Sequence, residues 1–317
     1  MSIQQTRDTL ISVAKLYYIG NMNQNDIAEL MGTSRPKISR MLKMARDKKI
    51  VQFQITTPES HYLKLQEKIA EAFELGKVLV TPTETSFEIM KMNVCKTAAE
   101  YLSTVIKDGD SLGIVWGSTT SGMIQFMRDR RLKGSKVYQL CGGLASLHLY
   151  LDGHETTKLI AKAINAKHFV LNAPFMVNSG LMKSLLLQEP EIKKHFEAFE
   201  NLDIAVVGMG SSDPAKSLTY LADYITLEES KELVKQGYAA DVVGYRLDKD
   251  GSMADIPLNE RVISIGLDTL RNVPNVIAVA CGEDKVSSII TAVKGKYINT
   301  LVIDEIAALA IVNKLAL

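Results

Sequence analysis

The sequence contains few cysteines and no long apolar run. Its three cysteines, Cys95, Cys141 and Cys281, are far apart and odd in number, which argues against a disulfide framework and is typical of a reducing compartment. No apolar stretch reaches the ~20 residues that a transmembrane helix needs. The polar segment 1–8 lacks the apolar core of a signal peptide. We therefore expect a cytoplasmic protein without membrane contact.

Motifs for metals and nucleotide cofactors are also missing. The five histidines show no metal-ligand spacing with the cysteines or with one another. Gly208-Met209-Gly210 lacks the third glycine of a dinucleotide fingerprint, and there is no Walker A sequence. We therefore expect neither a metal nor a cofactor.

The charges are distributed unevenly along a chain of ordinary composition. At 317 residues, with 46% apolar and 23% charged residues, the chain has room for two domains, or three. Residues 1–56 carry nine Lys and Arg against four Asp and Glu, whereas the remainder carries 28 against 32. A basic segment on an acidic body is typical of a DNA-binding module joined to another module, although chance is the alternative. The polar, proline-containing segment 56–60 then predicts domains over 1–56 and 57–317.

Residues 23–42 predict two short helices joined by a tight turn. Leu30-Met31 closes the apolar pattern of the first helix, and Gly32 follows where helices end in a left-handed residue. Ser34 can then cap a second helix that tolerates Pro36 in its first turn. A second helix in this arrangement can enter a DNA major groove, N-terminal end first. An ordinary helical hairpin in a protein core is the alternative.

The second predicted helix has an apolar stripe and a basic face. Ile38, Met41 and Leu42 form the stripe, and basic residues lie off it. Such polar and basic side chains contact phosphates and base edges in DNA complexes. The predicted DNA-binding residues are Gln24, Ser34, Arg35, Lys37, Ser39 and Arg40.

The segments that flank this pair extend the prediction. An apolar stripe over 9–19 predicts a helix that packs behind the pair. The alternation of Val51, Phe53 and Ile55 predicts a strand, and therefore a winged helix-turn-helix. Residues 62–75 predict a helix that is either a connector or part of a dimer interface.

From residue 77 onward, short apolar strands alternate with helices. The pattern predicts strands over 77–81, 111–116, 136–140, 168–171, 203–207, 276–280 and 300–303. It predicts helices over 92–106, 118–127, 154–164, 180–199, 286–293 and 306–315, with a hairpin turn at 248–251. This alternation is typical of βαβ units, and we expect a Rossmann-like α/β domain with a largely parallel sheet.

Four of the predicted strands end in loops rich in glycine or hydroxyl groups. These loops are Gly117-Ser118-Thr119-Thr120, Gly142-Gly143, Gly208-Met209-Gly210-Ser211 and Gly282-Glu283-Asp284-Lys285. Ligands of open α/β sheets bind outside the carboxyl ends of the strands, where free N–H groups attract anions. For each loop taken alone, the alternative is that its glycines are needed only for steric reasons in the turn. Together, and with the positive charge of Lys285, they predict a phosphorylated small ligand.

Asp241 is an acid inside an apolar run. It can hydrogen-bond sugar hydroxyls in a pocket, or it can cap the end of a strand. The sequence leaves both interpretations open.

Nearly end to end, the chain resembles the SorC/DeoR-type bacterial sugar-responsive transcriptional regulators. No single motif carries the resemblance, which depends on the order and separation of several. The segments are 14–18, 24–42, 107–110, 116–120, 142–144, 241–244, 282–285, 294–299 and 301–304.

The resemblance implies a winged helix-turn-helix followed by an effector domain similar to the sugar-phosphate isomerases and deaminases. It implies a tetramer that binds operator DNA and responds to a phosphorylated sugar. It also implies, as the default role in the family, a repressor of a sugar or nucleoside catabolic operon, although some members of the family activate. By resemblance, the 117–120 loop and Lys285 hold the phosphate, and Asp241 faces the sugar hydroxyls. Gly142 and Gly143 form the floor of the pocket. The effector-binding set is Gly117, Ser118, Thr119, Thr120, Cys141, Gly142, Gly143, Asp241, Gly282 and Lys285.

One position departs from the family pattern. Members of the family have a lysine or an arginine just before the Gly-Gly pair, whereas this chain has Cys141. Neither Schiff-base capture nor a guanidinium clamp is available there, so the identity of the effector stays open. The alternative function is an isomerase-like enzyme with a DNA-binding head, but Asp241 has no evident acid–base partner. We therefore expect no catalysis.

Overall fold

The computed structural model describes residues 3–48, 50–51, 58–144, 152–238 and 240–316. The chain forms two compact units, one over residues 1–57 and one over residues 58–317. The strand expected over 51–55 lies, apart from Val51, outside the described residues. No helix in the described ranges is long and apolar enough to cross a bilayer.

The first unit is a small helical bundle. Its helices are α1 (Ile3–Ala14), which continues as a π-helical turn over Lys15–Ile19, α2 (Gln24–Leu30) and α3 (Arg35–Asp47). Its main core joins Val13 of α1 to Ile27, Ala28, Ile38 and Leu42. The prediction that the first helix packs on the pair is confirmed. Leu30 was wrongly assigned to the apolar stripe, since its side chain is 64% exposed.

The turn between α2 and α3 is built on Gly32. This glycine has φ = +58°, a left-handed conformation that costs glycine little. Its N–H donates to the Glu29 carbonyl at 3.1 Å, and the N–H of Thr33 donates to the Ala28 carbonyl at 2.8 Å. These are the two bonds of a Schellman motif. Ser34 is the N-cap residue of α3, as predicted, but its side chain makes no capping hydrogen bond.

The second unit alternates helices and strands. Its strands are β1 (Lys77–Thr81), β2 (Ser111–Ile114), β3 (Lys136–Gln139), β4 (Lys167–Phe169), β5 (Ile204–Gly208), β6 (Ala240–Val242), β7 (Tyr245–Leu247), β8 (Asn275–Val279) and β9 (Thr300–Asp304). Its helices are α4 (Pro58–Phe73), α5 (Phe87–Val105), α6 (Ser118–Met123), α7 (Gly153–Ile164), α8 (Gly180–Leu186), α9 (Pro190–Ala198), α10 (Leu218–Leu221), α11 (Leu227–Lys235), α12 (Leu267–Asn272), α13 (Val286–Lys294) and α14 (Glu305–Leu315).

Seven of these strands form one parallel sheet in the order β1-β9-β8-β5-β2-β3-β4. The chain runs from β2 through β3 to β4 toward one edge, and from β5 through β8 to β9 toward the other. The strand order therefore reverses between β2 and β5, and ligands of open α/β sheets bind at such a reversal.

Both faces of the sheet are buried except at the exposed edge strand β4, which explains why the central strands are almost continuously apolar. Val206 and Ile277 pack in the cluster that contains residues of α5 and α7. Their chain neighbours Ala205 and Ala278 point the other way, into the cluster that contains residues of α4, α13 and α14. The helix expected as a connector or interface, α4, packs on β1 and α14.

Two local features differ from expectation. The helix expected over 180–199 is two helices, because Pro190 cannot donate the hydrogen bond that would continue α8 and instead starts α9. The β6–β7 hairpin turns at Val243 and Gly244, whose φ values are +47° and +95°. The predicted turn at 248–251 is also present, closed by the bond from the Gly251 N–H to the Asp248 carbonyl.

Candidate functional site

A cavity lies where the strand order reverses. It encloses about 170 Å³, roughly ten times the ~15 Å³ that one water needs, and can therefore hold a molecule of several heavy atoms. Loops after β2, β5 and β8 and the β6–β7 hairpin surround it. The lining residues are Val115, Trp116, Gly117, Ser118, Thr119, Cys141, Phe175, Gly208, Met209, Gly210, Ser211, Lys216, Leu218, Leu221, Asp241, Val243, Gly244, Val279, Ala280 and Lys285.

Six of the ten residues expected at the effector site line this cavity. They are Gly117, Ser118, Thr119, Cys141, Asp241 and Lys285. Thr120, Gly142, Gly143 and Gly282 do not line it. The fold therefore brings together residues from four separate stretches of the sequence and leaves the other four residues around the outside.

The hydroxyl of Thr120 is not available to a ligand. Thr120 is fully buried, and its Oγ1 donates to the Gly117 carbonyl at 3.1 Å. The expectation that Thr120 supplies a donor is therefore wrong. Thr119 also uses its hydroxyl internally, donating to the Val279 carbonyl at 3.3 Å. Ser118 is the remaining hydroxyl of this loop in the cavity lining.

Gly142 and Gly143 do not form the floor of the cavity. The Gly142 N–H donates to the Ile263 carbonyl at 2.9 Å, which turns the chain away after β3. A Cβ on Gly142 would lie 2.2 Å from the Pro174 carbonyl oxygen, so close packing of backbone against backbone requires this glycine. Gly143 lines a neighbouring cavity with Asp152 and other residues.

Gly282 supports the site from outside the cavity. Its N–H donates to the Asp304 carboxylate at 2.6 Å, and its φ is +100°. The same carboxylate accepts from the Ala307 N–H at 3.0 Å and so caps α14. The fully buried Asp304 therefore ties the loop after β8 to the end of β9.

Lys285 lies beside a carboxylate. Its Nζ is 3.5 Å from Oδ2 of Asp284, and its side chain is 24% exposed. The Ser211 hydroxyl donates to the same Oδ2 at 2.5 Å. Desolvation raises the pKa of the Asp284 carboxyl, but the Ser211 hydroxyl and the charges of Lys285 and Lys216 outweigh it, so the pKa lies below its usual range.

Lys216 is a lining residue that the sequence analysis missed. It belongs to the segment that follows β5, before α10, and it brings a second ammonium group to the cavity. Its side chain is 63% exposed, so its charge is more strongly screened than that of Lys285. No sequence pattern marks Lys216, because it lies in the short 3₁₀ turn before α10 and not directly at the end of a strand.

Asp241 closes a turn and also lines the cavity, so its place is compatible with both interpretations that the sequence left open. Its Oδ1 accepts from the Gly244 N–H at 3.1 Å and so closes the β6–β7 turn, while the side chain also lines the cavity. Gly210 packs directly against it, since a Cβ there would lie 2.3 Å from the Asp241 Cβ. The cavity therefore has one carboxylate and two lysines in its lining.

Cys141 lines the cavity as a neutral thiol. Burial raises its pKa to about 12, so the thiolate is absent near neutral pH. Trp116, the single tryptophan of the chain, also lines the cavity. Its Nε1 donates to the Gly142 carbonyl at 2.8 Å, and its ring packs edge-on against Phe175. Within the described residues, no cluster of His, Cys, Asp or Glu can hold a metal ion.

The first unit presents an exposed basic face on α3. Ser34, Arg35, Lys37, Ser39 and Arg40 are exposed, and Gln24 of α2 is half-buried. Arg40 lies opposite the buried stripe of Ile38, Leu42 and Ala45, three residues before Lys43. Lys43 therefore shares the face of Arg40, and the spacing of three should have added it to the predicted set.

Comparison with known proteins defines the class. The model of the Sugar-bind family, described as "Putative sugar-binding domain", matches residues 57–313. The chain is 32% identical over 307 residues to the deoxyribonucleoside regulator of Bacillus subtilis, covering 96% of this chain and 97% of that one. It is 27% identical over 296 residues to the sorbitol operon regulator of Klebsiella pneumoniae, covering 92% and 94%.

Solved structures agree with these relatives. The full-length sorbitol operon regulator SorC from Klebsiella pneumoniae superposes with a TM-score of 0.78 at 27% identity, over 96% of this chain and 98% of that one. A transcriptional regulator from Streptococcus pneumoniae superposes with a TM-score of 0.76 at 25% identity, over 82% and 100%. The fold and its cavity thus define a parallel α/β ligand-binding domain. The chain belongs to the Sugar-bind family, with the SorC- and DeoR-type transcriptional regulators as its relatives.

Proposed function

We propose that this protein is a cytoplasmic transcriptional regulator of sugar or nucleoside catabolism whose operator affinity is controlled by a phosphorylated sugar. Residues 1–56 are the winged helix-turn-helix DNA-binding domain, and residues 57–317 bind the effector and form a homotetramer. The observation that carries this proposal is the cavity at the carboxyl ends of β2 and β5, which has lysines and a carboxylate in its lining.

The lysine side of the cavity suits a phosphate. Lys285 supplies an ammonium that is three-quarters buried, and Lys216 adds a second positive charge. Ser118 brings a hydroxyl to the same cavity. Charge-assisted hydrogen bonds of this kind are about twice as strong as those between neutral groups. An anionic group on the ligand can therefore form strong hydrogen bonds with these side chains.

Other residues of the cavity lining suit sugar hydroxyls. Asp241 keeps one oxygen on the Gly244 N–H, which leaves the other carboxylate oxygen as an acceptor. Trp116 and Phe175 add apolar surface against which the carbon skeleton of a sugar can pack. The named relatives are a deoxyribonucleoside regulator and a sorbitol operon regulator, and the chemistry of the cavity supports an effector of the same general class.

The helical unit supports DNA binding. Arg35, Lys37 and Arg40 are exposed on α3, and Ser34 and Ser39 are exposed with them. Helix α3 begins after a short turn, as the second helix of a helix-turn-helix does. The effector acts by binding two states of the tetramer with different affinities, and thereby releases a repressor from its operator.

An isomerase-like enzyme is less well supported. Such chemistry requires a positioned acid and base pair near the sugar. Asp241 is the only carboxylate among the described residues that line the cavity, and the Cys141 thiol stays protonated.

A thermal-shift screen of the full-length protein tests the effector proposal. Trioses, pentoses and hexoses are compared with their phosphates. A ligand at 100 times its Kd adds about 2.7 kcal/mol of stability. We expect a clear shift with one sugar phosphate and none with the matching free sugar. Shifts with free sugars alone would refute the phosphate assignment, and conversion of the sugar phosphate would favour the enzyme.

A further inference from the structure

Asp284 holds its carboxylate on the same ammonium that the proposed function assigns to the phosphate. Its Oδ2 lies 3.5 Å from Nζ of Lys285. Lys285 lines the cavity at the carboxyl ends of β2 and β5. Asp284 does not line it and instead lines the adjoining groove. Lys285 therefore lines the cavity and at the same time lies beside a negative charge.

The carboxylate of Asp284 is anchored in this position. The Ser211 hydroxyl donates to Oδ2 at 2.5 Å. The main-chain carbonyl of Asp284 accepts from both the N–H and the hydroxyl of Ser212, each at 2.9 Å. The pKa of the carboxyl lies below its usual range, despite the opposing effect of burial, so the group is ionised at neutral pH. It cannot leave Lys285 without breaking the Ser211 bond.

A phosphate that reaches Lys285 therefore meets a competitor. Part of the lysine's positive charge is already neutralised by Asp284, and a sugar phosphate carries a charge of about −1.5 to −2 at pH 7. Because both anions approach one ammonium in a partly buried site, their mutual repulsion is only partly screened.

We propose that Asp284 is an affinity-setting residue of this site. Its carboxylate competes with the phosphate of the effector for the Lys285 ammonium, and so raises the effector concentration at which the protein responds. This inference rests on the proposed function, because it requires that Lys285 binds a phosphate. It assigns to Asp284 a role opposite to that of a ligand-binding residue: its removal strengthens binding.

Removal of the charge tests the proposal. Full-length wild-type, Asp284→Asn and Asp284→Ala proteins are titrated with inorganic phosphate, and Trp116 fluorescence reports occupancy of the cavity, since this is the only tryptophan. We expect both neutral variants to bind phosphate about tenfold more tightly, the size of a moderate charge interaction in a partly buried site. Asp284→Glu retains the charge, and we expect affinity within about threefold of wild type.

A matched control separates a local effect from a change in net charge. Asp268 on α12 also pairs with a cation, Arg271, but α12 precedes β8 and so lies at the opposite end of the sheet. Asp268→Asn removes the same charge, and we expect no change in phosphate affinity. Equal tightening in Asp268→Asn and Asp284→Asn would overturn the proposal.

The possible outcomes distinguish the proposal from the function on which it rests. If wild type binds phosphate and Lys285→Met weakens that binding, but neither neutral Asp284 variant binds more tightly, then the role of Asp284 is wrong and the phosphate site stands. If no protein in the series binds phosphate or a sugar phosphate, both fail together. Thermal unfolding of each variant verifies that the titrated protein is folded.

Discussion

Removal of the Lys285 ammonium should have a large effect on the affinity for a sugar phosphate. Lys285→Met keeps the length and the apolar stem of the side chain but removes the charge. A hydrogen bond to a charged group contributes about 1.5–3 kcal/mol, which corresponds to roughly ten- to 150-fold in Kd. The three-quarters burial of Lys285 limits solvent screening, whereas Lys216, which is mostly exposed, can compensate only in part. We therefore expect about 30-fold weaker binding of the sugar phosphate.

The assay has two readouts. Trp116 fluorescence follows ligand binding in the cavity, and fluorescence anisotropy of a labelled operator, selected from random duplex DNA, follows DNA binding. Lys285→Met should lose the effector response while its operator affinity without ligand is unchanged. Lys235→Met, on the exposed surface of α11, is the control for loss of one positive charge. Normal affinity of Lys285→Met for the sugar phosphate would refute the assignment of the phosphate to Lys285.

Three further predictions concern the DNA-binding face and the stability of each unit. Arg40→Ala should weaken operator binding by about 1–3 kcal/mol if the side chain contacts a base. Fluorescence anisotropy measures the affinity, with Lys15→Ala as the control. Unchanged affinity and sequence preference would show that this face of α3 does not contact DNA. A Cβ on Gly32 would meet no neighbouring atom, so Gly32→Ala acts only through the positive φ. We expect it to lower the free energy of unfolding by about 1–2 kcal/mol. Amide exchange of α2 and α3 measures this, and unchanged protection would contradict it. Burial lowers the pKa of His195, which lies 2.8 Å from the Gln139 carbonyl. As pH falls, His195 is protonated in the unfolded chain before it is protonated in the folded one, so the free energy of unfolding should decrease below pH ~6.5. Urea unfolding at several pH values measures this. His195→Gln should show a weaker dependence of the unfolding free energy on pH.

The sheet could be predicted because its strands are short apolar runs with helices between them. All seven parallel strands lie within a few residues of the predicted positions. The β6–β7 hairpin was harder to predict, because Val243 takes a left-handed conformation that β-branched residues rarely adopt. Similarly, Leu30 fits the helical pattern but is exposed, since none of the described residues of the first unit covers that side of α2.

The site could be predicted only where it depends on strand ends. Lys285 and the loop at Gly117 follow strands directly, so the topology alone brings them to one edge of the sheet. Gly142 also follows a strand, but the bond to the Ile263 carbonyl turns the chain away from the cavity. Asp284 lies in the same strand-end loop as Lys285, but sequence periodicity carries no information about the bond from Ser211 that holds its carboxylate. Lys216 depends on the path of the segment between β5 and α10, which periodicity also does not define.

The most direct test of the central claim is the operator affinity of the full-length protein with and without a saturating sugar phosphate. Coupling between two sites is typically about 1–3 kcal/mol, or 5- to 150-fold in affinity. If the protein is a repressor controlled through the cavity at the carboxyl ends of β2 and β5, the sugar phosphate should weaken operator binding by a factor in this range. Lys285→Met should abolish this effect. An operator Kd that stays constant while the cavity is fully occupied would contradict the account.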